Sequence, residues 1–576
     1  MQNAFSTLLG PILVLWLGAL VFYVLDRFLE PQDAGAAETI VLALATGTLF
    51  VVRARLGDTF RFGRVLVDAG WPGGPPYLLM ERTSWILALI VMGTATAASL
   101  ASLGGRVRGR AGRTAALGAM LLLLSAGDWA TLALVWVLVD VSTMYALEEG
   151  SGPEEEHGKE TERHRRVISI SLGGAVILGV AVALWQLSGG DLGGAASPPW
   201  PVAGLAMLAA LLRLLPWPLP SWHDRGNAGD SPGQETPLAR VVPYMVPTLS
   251  GAYLWARLAS GVPAAEGGRW LTALSLWAGL VLSVSALRAW SAREPRQLID
   301  RAAPYGAALI LLAAGLGLPA QWQLLVGVSS VLSVCALHVG WTQCQYLEIA
   351  DPRSYWRVAP TGLALLSLAG LPLTVGFAAR AAIYDQMFAQ GRWLVLLLTL
   401  AGEAGMLGAL LRVLLDVECT IDPEAGDGDV ASGSQEIPGA GSASAQVWLR
   451  NLGYGGGAAL ALAIAILGVA PGLLGAQGPL FWIGLPRMHV WAALLLPSVG
   501  AIALYRSQET LTTWVDEWWP LIQRVFDARW VTRSVERGAH LVGTVMWGAS
   551  QVVEGTGYMA WVLLFCLVAL VSLWAR

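Results

Sequence analysis

Lysine is almost absent from this chain: Lys159 is the only one in 576 residues, so 35 of the 36 basic residues are arginine. Charge of either sign is also scarce, at 13% of residues against 55% hydrophobic. Composition this poor in charge cannot clothe several soluble domains. The length is taken up instead by repeated apolar runs of roughly 18 residues or more, the mark of a polytopic membrane protein. Among the four cysteines (Cys335, Cys344, Cys419, Cys566) there is no C-x-x-C pair, which excludes a disulfide framework and a metal knuckle. A net charge of -4 offers nucleic acid no electrostatic footprint. A Gly-rich dinucleotide fingerprint, a cluster-binding cysteine run and a haem-ligand pair are all missing. No redox site, metal or cofactor is therefore expected in the chain itself.

What is present is a succession of sixteen candidate spans, at roughly 7–29, 37–53, 83–104, 113–127, 129–147, 167–188, 200–215, 238–259, 269–290, 302–318, 322–341, 358–378, 392–412, 452–475, 488–505 and 556–575. The expected fold is an all-α polytopic bundle of about 14–16 transmembrane helices. The first stretch lacks a basic flank and outruns a signal-peptide core, so it reads as a retained helix. Arg106, Arg108, Arg110 and Arg113 follow span 3, Arg163, Arg165 and Arg166 precede span 6, Arg293, Arg296 and Arg301 join spans 9 and 10, and Arg353 and Arg357 join spans 11 and 12. These loops fall on one side, which places both termini outside. Arg53, Arg55, Arg61 and Arg64 lie on the other side, next to Gly70-Trp-Pro-Gly-Gly-Pro-Pro76, a sequence suited to a turn-rich cap.

Two inside loops are polar. Residues 148–166 form a mixed-charge linker in which His157 and His164 lack metal-ligand company, and 418–451 is rich in Gly, Ser, Asp and Glu at its start and reads as flexible. Between spans 15 and 16, at 509–555, Trp514, Trp518, Trp519, Leu521, Ile522, Val525 and Phe526 alternate at helical spacing with Asp516, Glu517, Arg524 and Asp527. That is an amphipathic segment too polar to span, fit to lie along the membrane or across neighbouring helices, with Pro520 expected to kink or begin it.

Three stretches carry a family resemblance. Leu366-Ser-Leu-Ala-Gly-Leu-Pro-Leu-Thr-Val-Gly-Phe377 in span 12 resembles the broken-helix motif of the antiporter-like membrane subunits of respiratory complex I and of Mrp-type cation/proton antiporters. Arg213-Leu-Leu-Pro-Trp-Pro-Leu-Pro-Ser-Trp222 is similar to that family's lysine-headed span 7 segment, and Thr236-Pro237 through Leu254 resembles its span 8. Asp128 ahead of Trp136 in span 5, and Glu294-Pro-Arg-Gln-Leu-Ile299 before span 10, are similar too. The sixteen-span layout resembles the largest of complex I's three such subunits. The resemblance implies two inverted five-helix repeats, with spans 7 and 12 broken at mid-membrane. Pro216, Pro218 and Pro220 in one, and Gly370 and Pro372 in the other, independently interrupt the helical ladder. The implied organisation is 1–110 for three N-terminal helices with the cap loop, 111–260 and 261–417 for the repeats, 418–451 for the flexible loop, 452–508 for helices 14 and 15, 509–555 for the lateral segment and 556–576 for the last helix.

Against the family pattern the chain departs at its charges. Val137 stands where the family has a glutamate after the span 5 tryptophan, and the nearest carboxylate, Asp140, lies three residues on, about 4.5 Å further along the helix. The span 7 lysine aligns with Arg213, and the span 12 lysine or glutamate with Arg380. Pro220 and Pro243 replace two histidines, and span 11, which holds His338, has no lysine. A buried lysine can be tuned to take up and release a proton, whereas arginine stays charged. Glu403, in an otherwise apolar span, needs a partner such as Arg380 or a water chain. The ion-translocation candidates are Asp140, Arg213, Arg380, Glu403 and His338, whereas Asp128 and Arg288 read as interfacial. Two functional readings follow. One is an antiporter-like subunit of a larger membrane complex, with other membrane subunits as partners and a soluble or redox arm reached through them, moving protons or cations by an altered path. The other is a transport-inactive subunit that braces and anchors its partners. A bacterial inner membrane is the expected setting.

Overall fold

The computed structural model describes residues 2–25, 31–56, 59–62, 78–103, 109–150, 158–190, 192, 198–214, 236–259, 264–292, 295–344, 355–416, 443–476, 488–525, 537 and 544. Seventeen α-helices occupy most of them. The N-terminal group is α1 (Gln2–Leu25), α2 (Pro31–Leu56) and α3 (Arg82–Ala101). A first set of five follows: α4 (Arg110–Leu124), α5 (Trp129–Gly150), α6 (Gly158–Leu187), α7 (Trp200–Leu214) and α8 (Pro237–Ala259). The next set is α9 (Ala264–Trp290), α10 (Pro295–Gly315), α11 (Ala320–Cys344), the pair α12 (Tyr355–Leu368) and α13 (Val375–Gln390), and α14 (Trp393–Asp416). Last come α15 (Ala443–Val469), α16 (Met488–Arg506) and α17 (Gln508–Val525).

Ten of the described helices are long and apolar enough to cross a membrane, which makes the chain an integral membrane protein. Helices α1 to α16 coincide with the first fifteen expected spans, α12 and α13 together filling the twelfth. The sixteenth span and the last helix, at 556–576, lie outside the described residues, as do most of the 418–451 loop and of the lateral segment. Helix α15 begins at Ala443, earlier than hydropathy places it, because its first turns are polar. Helix α17 starts at Gln508, so Pro520 does not begin it. It packs against α9 and α16, with Trp514 and Trp518 stacked 6.1 Å apart on an exposed face.

The two five-span sets share one neighbour pattern. In the first, α4 meets α5 and α8, α5 meets α6, α6 meets α7, and α7 meets α8. In the second, α9 meets α10 and α14, α10 meets α11, α11 meets α12, and α13 meets α14. Because five crossings reverse the direction of the chain, the second set repeats the first upside down. Each set is closed by an arginine near the end of its last helix. Arg257 of α8 donates from Nη1 to the Ala126 carbonyl (2.7 Å) and from Nη2 to that of Gly127 (2.9 Å), its guanidinium 5.1 Å from the Trp129 ring. Arg412 of α14 donates to the Ala292 carbonyl and lies 5.4 Å from the Trp290 ring. Both grip the turn between the first two helices of their own set, on opposite ends of the bundle.

The turn before α5 is itself capped. Asp128 accepts from the Thr131 backbone N–H (2.7 Å) and hydroxyl (2.6 Å), so at the start of its span it is a buried N-cap. The Arg61 region forms a strand, β1 (Thr59–Phe62), antiparallel to β2 (Leu78–Glu81), and Leu79 N–H bonds the Ser125 carbonyl at 2.7 Å, docking this hairpin on the α4–α5 turn.

A buried ion cluster ties the N-terminal helices to the first repeat. Glu38 of α2 accepts from Arg113 of α4 at 3.2 and 3.3 Å, with Arg110 Nε 3.8 Å away, and all three residues are almost fully buried. Burying charge is tolerable only when it is paired, so removing the carboxylate leaves two guanidinium groups facing each other away from water. Glu38→Gln is expected to destabilise the protein by about 3 kcal/mol, read as a lowered melting temperature of the detergent-solubilised chain.

Candidate functional site

Two centres of buried charge occupy the expected broken helices. The first gathers four helices of the first repeat. Trp136 and Asp140 stand one turn apart on α5, Ser171 comes from α6, Arg213 from the last turn of α7 and Ser250 from α8. Arg213 is fully buried, and its guanidinium lies 3.9 Å from the centre of the Trp136 ring, a cation–π arrangement. It donates from Nη1 to Ser250 Oγ (3.1 Å) and from Nη2 to the Trp136 carbonyl (2.9 Å), and it pairs with Asp140 Oδ1. Ser171 Oγ donates to the same carboxylate oxygen at 2.6 Å. The other oxygen, Asp140 Oδ2, is buried without a hydrogen-bond partner among the described residues. Pro216, Pro218 and Pro220 lie outside the described residues, and α7 ends at Leu214, just before them.

The second centre is built on the break between α12 and α13. Gly370 takes φ +66°, open to glycine, and Leu373 takes φ +69°, which costs a side-chain-bearing residue about 1–3 kcal/mol. Thr374 then caps α13, its hydroxyl accepting from Phe377 N–H (3.3 Å) and donating to the Leu371 carbonyl (2.7 Å). The two half-helices pass so closely that a Cβ on Gly376 would run into the Ser367 carbonyl. Gly376 N–H also donates to Ser367 Oγ (3.2 Å), which accepts as well from Ser333 of α11 at 2.8 Å when Ser333 is the donor.

Arg380 spans this break. Its Nε donates to Glu403 Oε1 of α14 (2.8 Å), its Nη1 to the Ser367 carbonyl (3.0 Å) and that of Gly376 (3.5 Å), and its Nη2 to the Leu368 carbonyl and to Tyr305 Oη of α10 (3.4 Å). All five N–H donors of the guanidinium are thereby used. The second oxygen of Glu403 accepts from Tyr384 Oη at 2.6 Å. Of the two partners expected for Glu403, the structure places Arg380.

Between the centres, where α8, α10 and α11 meet, a Cβ on Gly306 would press on Tyr244 Oη and Ser330, and Ser330 stands one turn from Ser333. His338 is placed elsewhere, its Nε2 3.9 Å from Asp300 Oδ1 on α10. The structure thus brings Asp140 to Arg213 and Arg380 to Glu403, and sets His338 beside Asp300. Sequence reasoning missed Ser171, Ser250, Tyr305 and Tyr384, the hydroxyls that finish the two shells. The one signal available was spacing: Tyr384 stands one helical turn after Arg380.

No family model and no curated protein matches the chain. Solved structures do. A chain of the Mrp complex from Dietzia sp. DQ12-45-1b superposes with a TM-score of 0.70 at 18% identity, over 99% of this chain and 63% of that one. This chain therefore spans less than two thirds of that Mrp chain's length. The membrane-bound sulfane sulfur reductase, an archaeal respiratory membrane complex, gives 0.64 at 17% identity, over 98% of this chain and 99% of its own. Respiratory complex I from Thermus thermophilus gives 0.58 at 16% identity, over 86% and 99%. The fold is thus one found in Mrp and complex I assemblies, as the resemblance in the sequence led us to expect.

Lysine presents one rotatable ammonium where Arg213 presents a plane that stacks on Trp136 and reaches two neighbouring helices, α5 and α8, at once. Arg213→Lys is expected to cost about 2 kcal/mol, the scale of a lost charged hydrogen bond and a desolvated cation–π contact, read by thermal unfolding in detergent. Gly376→Ala should separate the half-helices and lower stability by at least as much as overpacking a core, about 1–3 kcal/mol, in the same assay.

Proposed function

We propose that this chain is an antiporter-like membrane subunit of a larger Mrp-like or complex-I-like assembly, seated among other membrane subunits in a bacterial inner membrane with both termini outside. The observation that carries this reading is the pair of buried arginine–carboxylate centres at corresponding places in two inverted repeats of a fold found in such assemblies. Neither arginine can release its proton, so a proton moving through these centres is carried by Asp140 and Glu403, with the cations as fixed counter-charges. Asp140 Oδ2, buried and without a hydrogen-bond partner among the described residues, is the atom best placed to receive one. A redox or soluble arm would be reached only through companion subunits.

A second reading has its own observation. Arg380 uses every donor it has within the chain, which is how a brace is built. On this reading the subunit seals and anchors its partners without carrying ions.

The two readings separate in a vesicle assay of the purified complex with a pH-sensitive dye. If the carboxylates carry protons, Asp140→Asn and Glu403→Gln each lower coupled pumping by at least about tenfold, the range of losing a proton-transferring side chain. Pumping unchanged in both variants would exclude the relay and leave the brace.

A further inference from the structure

The hydrogen-bond acceptors of the Arg380 guanidinium are five oxygens. They comprise one carboxylate oxygen (Glu403 Oε1), three backbone carbonyls (Ser367, Leu368 and Gly376) and one phenol (Tyr305 Oη), drawn from α10, α12, α13 and α14. Two of the carbonyls, Ser367 and Leu368, belong to the last turn of α12, where the helix dipole is negative, and that of Ser367 also accepts from Gly370 N–H at 3.1 Å. Such half-helix C-termini inside a bundle are where cations are held. Arg380 is almost fully buried, and the chain reaches this place from the far side of the break, with a side chain that starts on α13.

We propose that these oxygens form a monovalent-cation site, and that the chain fills it with its own guanidinium. Arg380 is a tethered cation, and the site becomes open to a free one when that side chain is removed. The charge of the ligand follows from the shell. Glu403 supplies the single formal negative charge, while its second oxygen is held by the Tyr384 hydroxyl and every other donor atom is neutral. One positive charge balances the site, and a divalent ion would leave an uncompensated charge away from water. The planar arrangement around Nε, Nη1 and Nη2 favours guanidinium itself as the probe, with potassium as the spherical alternative. In the native chain the consequence is self-occupancy: no free cation exchanges at this break while Arg380 is seated. The inference rests on the geometry of the break and stands or falls apart from proton movement through the chain.

The test uses full-length Arg380→Ala in mild detergent. Its melting temperature is measured against millimolar guanidinium chloride or potassium chloride, with choline chloride at equal ionic strength as the control and the unsubstituted protein alongside. A ligand that binds only the folded state raises stability with the logarithm of its concentration above the dissociation constant. A rise with guanidinium or potassium, absent with choline and absent from the unsubstituted protein, is the expected result. Arg380→Ala combined with Glu403→Gln should weaken that response by at least about 30-fold in apparent affinity, the cost of removing one partner of a buried charge pair. If Arg380→Ala does not survive extraction in choline, recovery of monodisperse protein is compared between extraction in guanidinium and in choline. Arg380→Lys, which keeps a tethered charge, should fold and show no cation response. A melting temperature or recovery indifferent to all the cations, or a response that persists undiminished without the Glu403 carboxylate, would overturn the proposal.

Discussion

A permanent positive charge at the C-terminal end of a helix organises both centres of this protein. Arg213 sits in the last turn of α7, and Arg380 lays its guanidinium on the last carbonyls of α12. At the break after α12 the carbonyls of Ser367 and Leu368 face the bundle, where lipid cannot satisfy them, and Arg380 brings donors to them; Arg213 instead donates to the Trp136 carbonyl of α5. Arginine brings several donors in one plane together with a charge that opposes the helix dipole. The rest of each shell follows from that choice. A carboxylate must neutralise the cation, and a hydroxyl from a neighbouring helix donates to that carboxylate. Asp140 with Ser171, and Glu403 with Tyr384, are the two answers.

The same constraint explains why the centres differ in detail while matching in plan. In the first repeat the arginine stands in the last turn of α7 and its carboxylate comes from the second span of the set, α5. In the second repeat the arginine follows the break and reaches back, and its carboxylate comes from the last span, α14. The common element is where the charge is deposited, and the chain delivers it from whichever side the backbone permits. Function follows the charge too: a cation that never releases its proton can shape a field or fill a site, and any titration falls to the acids beside it.

Much of this was legible in the sequence because charge inside an apolar run cannot hide. Arg213, Arg380, Asp140 and Glu403 stand out on hydropathy alone, and Gly370 with Pro372 marks the break. The parts that escaped are those whose residue type carries no signal. Ser171, Ser250, Tyr305 and Tyr384 are at home in any membrane helix, and the Trp136 carbonyl that receives Arg213 is backbone, blind to side-chain identity. Leucine gives no hint of a positive φ at 373. Glu38 escaped for another reason: Gln32 and Asp33 precede it by little more than a turn, so it reads as the polar start of a helix, although the fold buries it against Arg113.

The arginine clamps at Arg257 and Arg412 bear on how such a bundle is assembled. Each one belongs to the fifth span of its set and grips the turn between the first two. While the ribosome is still delivering the intervening helices, the carbonyls of Ala126, Gly127 and Ala292 have only water or headgroups to bond. A set therefore becomes a closed ring at one step, when its last helix arrives in the bilayer. The two rings close at opposite faces and one after the other, so the first is a finished unit before the second has its final member.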